Sequence, residues 1–260
     1  MKSVPVHVFY FRGLSTYGAD DAKWSFLNFG SMHKYVQKAF AEREVILHPV
    51  LGMGVGTLLE MAARAQKAIE SHAAWKDPHR PVHFCGHSAG GLIARLVLDS
   101  IAAADGKILS LLTFGTPNSG SELARVCIDM PVKFKGSTRV LRSVGYDVAR
   151  NRSFFEELTR ERVALLSRLG TKKARVASVV CHAPRAQYCV PLRLFYKINA
   201  FRNFNLESDG IVERDSQPFG EVIGELNIDH FRQIGLFGGP DKFAQLNGVI
   251  TDFFKTTQRL

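Results

Sequence analysis

Residues 82–98 have the sequence VHFCGHSAGGLIARLVL, in which a short glycine-framed turn separates two apolar runs. The turn itself is Gly86-His87-Ser88-Ala89-Gly90, a G-x-S-x-G pattern. The first run has the length of a buried strand and the second that of a helix. Glycines at both ends let such a turn close without a Cβ clash and hold the serine hydroxyl above the sheet. We therefore predict a nucleophile at Ser88; the alternative is an ordinary turn with a serine near the helix start.

Short apolar runs alternate with helical patterns along most of the chain. The predicted strands are residues 4–11, 44–50, 81–86, 107–114, 174–182 and 221–228. The predicted helices are residues 33–43, a helix that follows the capping box of Thr57 and Glu60, a helix from Ser88 to about Ala103, and residues 241–256. This alternation predicts an α/β fold with a doubly wound, mostly parallel sheet. With 260 residues and 46% apolar side chains, we expect a single domain over residues 1–260.

The alternation lapses from about residue 121 to residue 173, where we expect a helical cap inserted into the sheet domain. The clearest helix of this insertion runs from Ser153, with Glu156 as its capping-box partner, to Leu169. Residues 125–175 carry thirteen Lys and Arg against five Asp and Glu, which is most of the chain's net charge of +10. This basic segment favours an anionic partner, such as an anionic lipid surface.

Composition limits the location of the protein, the state of its cysteines and the cofactors that it could bind. No run of 18 apolar residues and no signal peptide is visible, so we expect a cytoplasmic protein, unless a leader has been trimmed from the sequence. The four cysteines form no C-x-x-C pair and are expected to be buried free thiols, with a Cys181–Cys189 disulfide as the alternative. The glycines at 52–56 are spaced G-x-G-x-G, which is not the dinucleotide-binding fingerprint. We expect neither a metal nor an organic cofactor.

A serine nucleophile needs a base to accept its proton and an acid to orient that base. Asp209 and His230 follow Ser88 in the order Ser, Asp, His, and each is predicted to lie at a strand end. This order is one of the known triad orders. Asp215 and Asp229 remain competitors for the acid.

Three motifs in this order resemble the bacterial lipase and esterase branch of the α/β-hydrolase family. Residues 86–95, GHSAGGLIAR, are similar to the lipase elbow G-H-S-x-G-G-L-x-A-R. Residues 115–120, GTPNSG, look like the family's G-T-P-H-x-G loop, with Asn118 in place of the histidine. Residues 208–212, SDGIV, look like its N-D-G-x-V turn. The resemblance implies Ser88 as nucleophile, Asp209 as acid and His230 as base.

The resemblance also implies an oxyanion hole made by the backbone N–H groups of Ala89 and Leu14. This chain has Arg12-Gly13 where the family usually has His-Gly. The change places a fixed positive charge beside the predicted site. We predict that Phe11, Arg12 and His87 contact the substrate.

These features together predict a hydrolase of carboxylic esters that forms an acyl-enzyme on Ser88. A thioesterase or an amidase could use the same triad. A hydrolase-fold protein without activity could instead serve as a binding module for anionic lipid or nucleic acid, although nucleic acid is the less favoured partner.

Overall fold

The computed structural model describes residues 5–13, 38, 40–42, 44–54, 56–101, 107–133, 151–166, 174–196, 207–235, 237 and 240–258. Within these ranges six parallel strands form one sheet in the order β2-β1-β3-β4-β5-β6. The strands are β1 (Val6–Phe11), β2 (Val45–Pro49), β3 (Val82–His87), β4 (Ile108–Phe114), β5 (Arg175–His182) and β6 (Glu221–Asn227). The predicted strand positions are therefore confirmed to within a few residues.

Helices pack on both faces of this sheet. They are α1 (Leu58–Ser71), α2 (Ala73–Lys76), α3 (Ala89–Ser100), α4 (Glu122–Lys133), α5 (Arg152–Glu157), α6 (Arg160–Leu166), α7 (Val190–Phe195) and α8 (Pro240–Gln258). Side chains of α1 and α3 share one apolar core with Phe9, Phe11 and Phe84, whereas α8 packs on the other face, against Val8 and Leu112. The doubly wound α/β fold is confirmed. No helix within the described ranges is long and apolar enough to cross a membrane.

Local signals set the boundaries of two of these helices. The Thr57 hydroxyl accepts the N–H of Glu60, and the Glu60 carboxylate accepts the N–H of Thr57, so the predicted capping box of α1 is confirmed. The closing helix α8 buries Phe243, Leu246 and Phe254, as its periodicity predicts.

All four cysteines are buried and free, so the alternative of a disulfide between Cys181 and Cys189 is wrong.

The predicted helix from Ser153 to Leu169 is wrong in its start and its continuity. It begins at Arg152 after Asn151, and neither Asn151 nor Ser153 caps it in the predicted way. It is also interrupted between α5 and α6, where the carbonyl of Leu158 accepts the N–H of Ser121. A carbonyl engaged across the fold in this way no longer continues the helix. Residues 134–150 and 167–173 of the predicted cap lie outside the described residues.

Candidate active site

The turn at Ser88 joins β3 to α3 with a backbone conformation that is rare for a residue with a side chain. Ser88 has φ +56° and ψ −138°. A Cβ placed on Gly90 would lie 2.3 Å from the carbonyl oxygens of Phe11 and Arg12, and one on Gly86 would lie 2.4 Å from Cα of Gly91. Only glycine fits at these two positions. Because this close packing maintains the strained turn, Ser88 is held at the carboxyl end of β3.

The loop after β1 lies directly against the predicted nucleophile. A Cβ on Gly13 would be 2.7 Å from Cβ of Ser88 and 3.1 Å from its Oγ. Gly13 therefore brings the chain beside the hydroxyl just before Leu14, the predicted oxyanion donor. Leu14 itself lies outside the described residues. The other predicted donor, Ala89, occupies the first position of α3, where backbone N–H groups have no partner within the helix.

Asp209 and His230 form a buried pair. His230 Nδ1 lies 2.8 Å from Oδ2 of Asp209, and the backbone N–H of His230 also donates to the Asp209 carbonyl at 2.8 Å. The other carboxylate oxygen, Oδ1, accepts the N–H groups of Ile211 and Val212 at 2.9 and 2.8 Å. Asp209 is fully buried and His230 is 4% exposed. Four bonds from the turn and from His230 thus fix the acid and the ring against each other.

The two competing acids have other partners. The Asp229 carboxylate accepts the N–H groups of Cys189, Phe231 and Arg232 and pairs with the Arg232 side chain at 3.0 Å. Asp215 binds the guanidinium of Arg160 through both of its oxygens at 3.0 Å. Of the three candidates left open by the sequence, the structure brings only Asp209 to His230.

His87 lies behind the site and not in an open pocket. Its ring is 2% exposed and lies 4.6 Å from the ring of His230 and 5.0 Å from that of Phe114, measured between centroids. Burial, and next the nearby His230, hold the pKa of His87 well below its usual value. The ring is therefore neutral. It packs on the ring of His230, and its backbone directly precedes Ser88.

Two of the three predicted substrate contacts are in the wrong place. Phe11 is fully buried against Phe84 in the core between the sheet and α3, and His87 is buried as described. Strand alternation explains Phe11, because Tyr10 and Phe11 point to opposite faces of the sheet and both faces are covered. Arg12 is partly exposed at the end of β1, so its predicted contact stays a prediction.

Asn118 connects three elements around the site. Its amide donates to Thr113 Oγ1 and to the Gln217 carbonyl, at 3.1 and 2.7 Å. The buried Arg95 of α3 donates to its side-chain oxygen and to its carbonyl. Arg95 also stacks on Phe219 at 3.7 Å. Asn118 is thus a buried support that ties the elbow helix to the loop after β4.

Sequence reasoning missed two buried polar residues near the predicted triad. Gln233, three residues after His230, donates through Nε2 to Asp209 Oδ2 at 2.7 Å. Glu213 accepts the N–H of Leu123 at 3.0 Å and the hydroxyl of Ser121 at 3.3 Å, at the start of α4. Burial raises the pKa of Glu213. No local spacing marks either residue, because their partners lie far away in the sequence.

Over part of its length the chain matches a known protein family. Residues 13–144 match the family described as Lipase (class 3), which is just over half of the chain. The chain belongs to the class 3 lipase family. The matched range of this class 3 lipase includes Ser88 and Asn118 but ends before Asp209 and His230.

A curated relative and solved structures agree with this assignment. Triacylglycerol lipase 2 of Saccharomyces cerevisiae is 27% identical over 214 residues, which are 78% of this chain. The chain spans about 60% of the length of that yeast protein. The metagenomic carboxyl esterase MGS0156 has a TM-score of 0.68 at 15% identity, over the whole of this chain and 77% of that one. Staphylococcus hyicus lipase has a TM-score of 0.65 at 14% identity, over 99% and 97% of the two chains. The fold is that of the bacterial lipases and esterases, as the motifs predict.

Proposed function

We propose that this class 3 lipase hydrolyses carboxylic esters through an acyl-enzyme on Ser88. The observation that carries the proposal is the buried Asp209–His230 pair, at 2.8 Å, whose imidazole lies against the residue preceding the strained Ser88 turn. Membership of a lipase family and the carboxyl esterase fold support the same reaction class.

The tautomer of His230 follows from its partner. A carboxylate only accepts hydrogen bonds, so the short contact to Asp209 puts the proton of neutral His230 on Nδ1. Nε2 then carries the free lone pair. In the proposed first step, Ser88 Oγ attacks the carbonyl carbon of the ester while its proton moves to Nε2 of His230. Asp209 stabilises the imidazolium that forms.

The tetrahedral intermediate carries its negative charge on the former carbonyl oxygen. We assign the stabilisation of this oxyanion to the backbone N–H groups of Ala89 and Leu14. The intermediate collapses when the alcohol leaves with the proton from His230 Nε2, and Ser88 remains acylated. A water molecule then attacks the acyl carbon, gives its proton to His230, and releases the carboxylic acid as Ser88 recovers its proton.

Lipid esters are the substrate class that the family suggests, and thioesters or amides would use the same groups. The test is a panel of nitrophenyl esters from short to long acyl chains, assayed with the parent protein and with Ser88→Ala. We expect a loss on the order of 10⁶ in kcat for Ser88→Ala, since the nucleophile is removed with almost no change in packing. Equal activity of folded Ser88→Ala and parent would refute the proposal. Turnover of thioesters in preference to every ester in the panel would redirect the substrate assignment.

A further inference from the structure

Gln233 is a buried residue whose side chain donates a hydrogen bond to the predicted acid, Asp209. It belongs to a short 3-10 helix, Arg232–Ile234, that directly follows His230, and it is 1% exposed. Its side-chain Nε2 donates to Asp209 Oδ2 at 2.7 Å, the same oxygen that receives His230 Nδ1. The acid oxygen that faces the base is therefore shared between one ring N–H and one amide N–H.

The orientation of this amide is determined by its neighbours. A carboxylate has no proton to give, so Nε2 must face Asp209 and Oε1 must point the other way. On that other side lies His87, whose pKa burial lowers well below its usual value against smaller, opposite effects of the Gln233 side chain and the His230 backbone. The amide thus extends from the acid towards the ring that packs on His230.

The loop after β4 passes close to the Gln233 amide. Gly115 has φ +53°, and a Cβ there would lie 2.1 Å from Oε1 of Gln233 and 3.1 Å from Oδ2 of Asp209. The missing side chain of Gly115 is what makes room for the amide. A buried amide bonded to a carboxylate favours the orientation in which its N–H group faces that carboxylate.

We propose that Gln233 is a positioning residue of this enzyme, which holds the Asp209 carboxylate against the His230 ring. The inference rests on the proposed function. Gln233 does not touch the reacting atoms; it acts through the acid. A donor to a carboxylate stabilises its negative charge, so its loss makes Asp209 more basic and strengthens its hold on the His230 imidazolium.

The Asp229–Arg232 ion pair adjoins His230 in the chain. The other titratable groups that interact with Asp209 stay neutral near neutral pH. They are Cys181 on β5, and Tyr188 and Tyr196, and burial is the largest cause that raises the pKa of each of them. His87 is kept neutral by burial. The acid limb of the activity profile is the range in which activity rises with pH.

The first test is the pH dependence of kcat/KM for Gln233→Met, which nearly keeps the volume and removes the hydrogen bond to Asp209. We expect the acid limb to move to higher pH by about 0.5 to 1 unit, because the imidazolium is held more strongly. We also expect kcat to fall about 10- to 100-fold with KM nearly unchanged, because the carboxylate that orients His230 is no longer fixed by the amide, a loss of the size of one hydrogen bond to a charged group. The control is Ser110→Ala, which removes the buried hydrogen bond to His83 near the other end of the strands.

Gln233→Glu keeps the shape and separates positioning from packing. Its carboxyl can donate to Asp209 only while protonated, and the neighbouring carboxylate raises its pKa. Activity of this variant should therefore approach the parent's on the acid side and fall as the pH rises, while circular dichroism shows a folded protein throughout. Acid limbs that coincide for Gln233→Met, Ser110→Ala and the parent would overturn the inference. Inactivity of Ser88→Ala in the same assay would show that the proposed function survives that result.

Discussion

Gly13 is the residue whose missing side chain the site depends on most directly. Its φ is not in the left-handed region, so its backbone would accept alanine. The obstacle is Ser88, whose Cβ would lie 2.7 Å from the new methyl group. The methyl group must therefore push the loop, the nucleophile or both out of place.

Gly13→Ala should lower kcat/KM about 100-fold, since a shift of about 1 Å at a reacting group has an effect of this size. Esterase kinetics measure it, with thermal unfolding to verify the fold. Gly224→Ala in β6 is the matched control, because its methyl group would meet only Val249 and Val179, at 3.5 and 3.9 Å. An effect of Gly13→Ala no larger than that of the control would mean that this loop is not packed on the nucleophile.

Asparagine substitutions of the three candidate aspartates test which of them is the acid. Asp209→Asn should lower kcat by about 10⁴, because the amide favours the wrong tautomer of His230. Asp215→Asn should leave kcat within about twofold, since Asp215 forms a partly exposed ion pair with Arg160. Asp229→Asn should lower the free energy of unfolding by about 1 to 3 kcal/mol through its buried bonds and leave the pH profile in place. A neutral Asp209→Asn beside a crippled Asp229→Asn would reverse the assignment.

Among the elements, α4 is attached to the acid turn by one buried carboxylate. Glu213 is 1% exposed and accepts the Leu123 N–H and the Ser121 hydroxyl at the first turn of the helix. Burial is the largest cause that raises its pKa. A raised pKa means that the folded state binds a proton that the unfolded state has released. Stability from this group is therefore full below about pH 4.5 and is lost as the pH rises through the folded pKa.

Glu213→Gln should remove that pH dependence. The amide keeps an acceptor for Leu123 and carries no charge, so the difference in Tm, variant minus parent, should increase from pH 4.5 to pH 7. Thermal unfolding at several pH values measures it, and Glu221→Gln, on an exposed carboxylate of β6, is the control. A difference that stays constant or declines with pH would show that Glu213 is ionised in the folded protein at little cost.

The elements also show which parts of the fold and the site local sequence can predict. Apolar runs bounded by turn residues predict all six strands, and the capping box predicts the start of α1, because both signals lie within a few residues. The break at Leu158 depends on a bond from Ser121, and the contacts of Gln233 and Glu213 join residues 24 and 90 positions from their partners. Such contacts exist only once the chain has folded. For the same reason the sequence alone does not separate Asp209 from Asp215 and Asp229 as the acid. The ion pairs of Asp215 with Arg160 and of Asp229 with Arg232 form only in the folded chain.

At the scale of the whole molecule, the predicted basic cap is the segment through which the protein could contact a lipid surface. Net charge of +8 lies on residues 125–175, and part of this segment is outside the described residues. We propose that it contacts anionic lipid, where each basic residue near the surface contributes about 1 kcal/mol. Activity on long-chain esters should then rise on anionic vesicles and fall with added salt.

The variant for this prediction changes Lys133, Lys135, Arg139 and Arg142 to glutamine. It should lose the rise on anionic vesicles and keep its rate on a small soluble ester, which serves as the internal control. Equal activation by neutral and anionic vesicles would eliminate the electrostatic contribution. Absence of activation on any surface would make the cap a fixed wall of the substrate site.

The most direct measurement of the central claim is the position of a covalent adduct formed with a serine-directed phosphonate, determined by mass spectrometry of the intact and digested protein. The account predicts one adduct per chain, on Ser88, with none in Ser88→Ala. Labelling should also be much slower in His230→Ala, because that variant lacks the base that accepts the serine proton. An unlabelled parent protein that is folded, or a label on a residue other than Ser88, would contradict it.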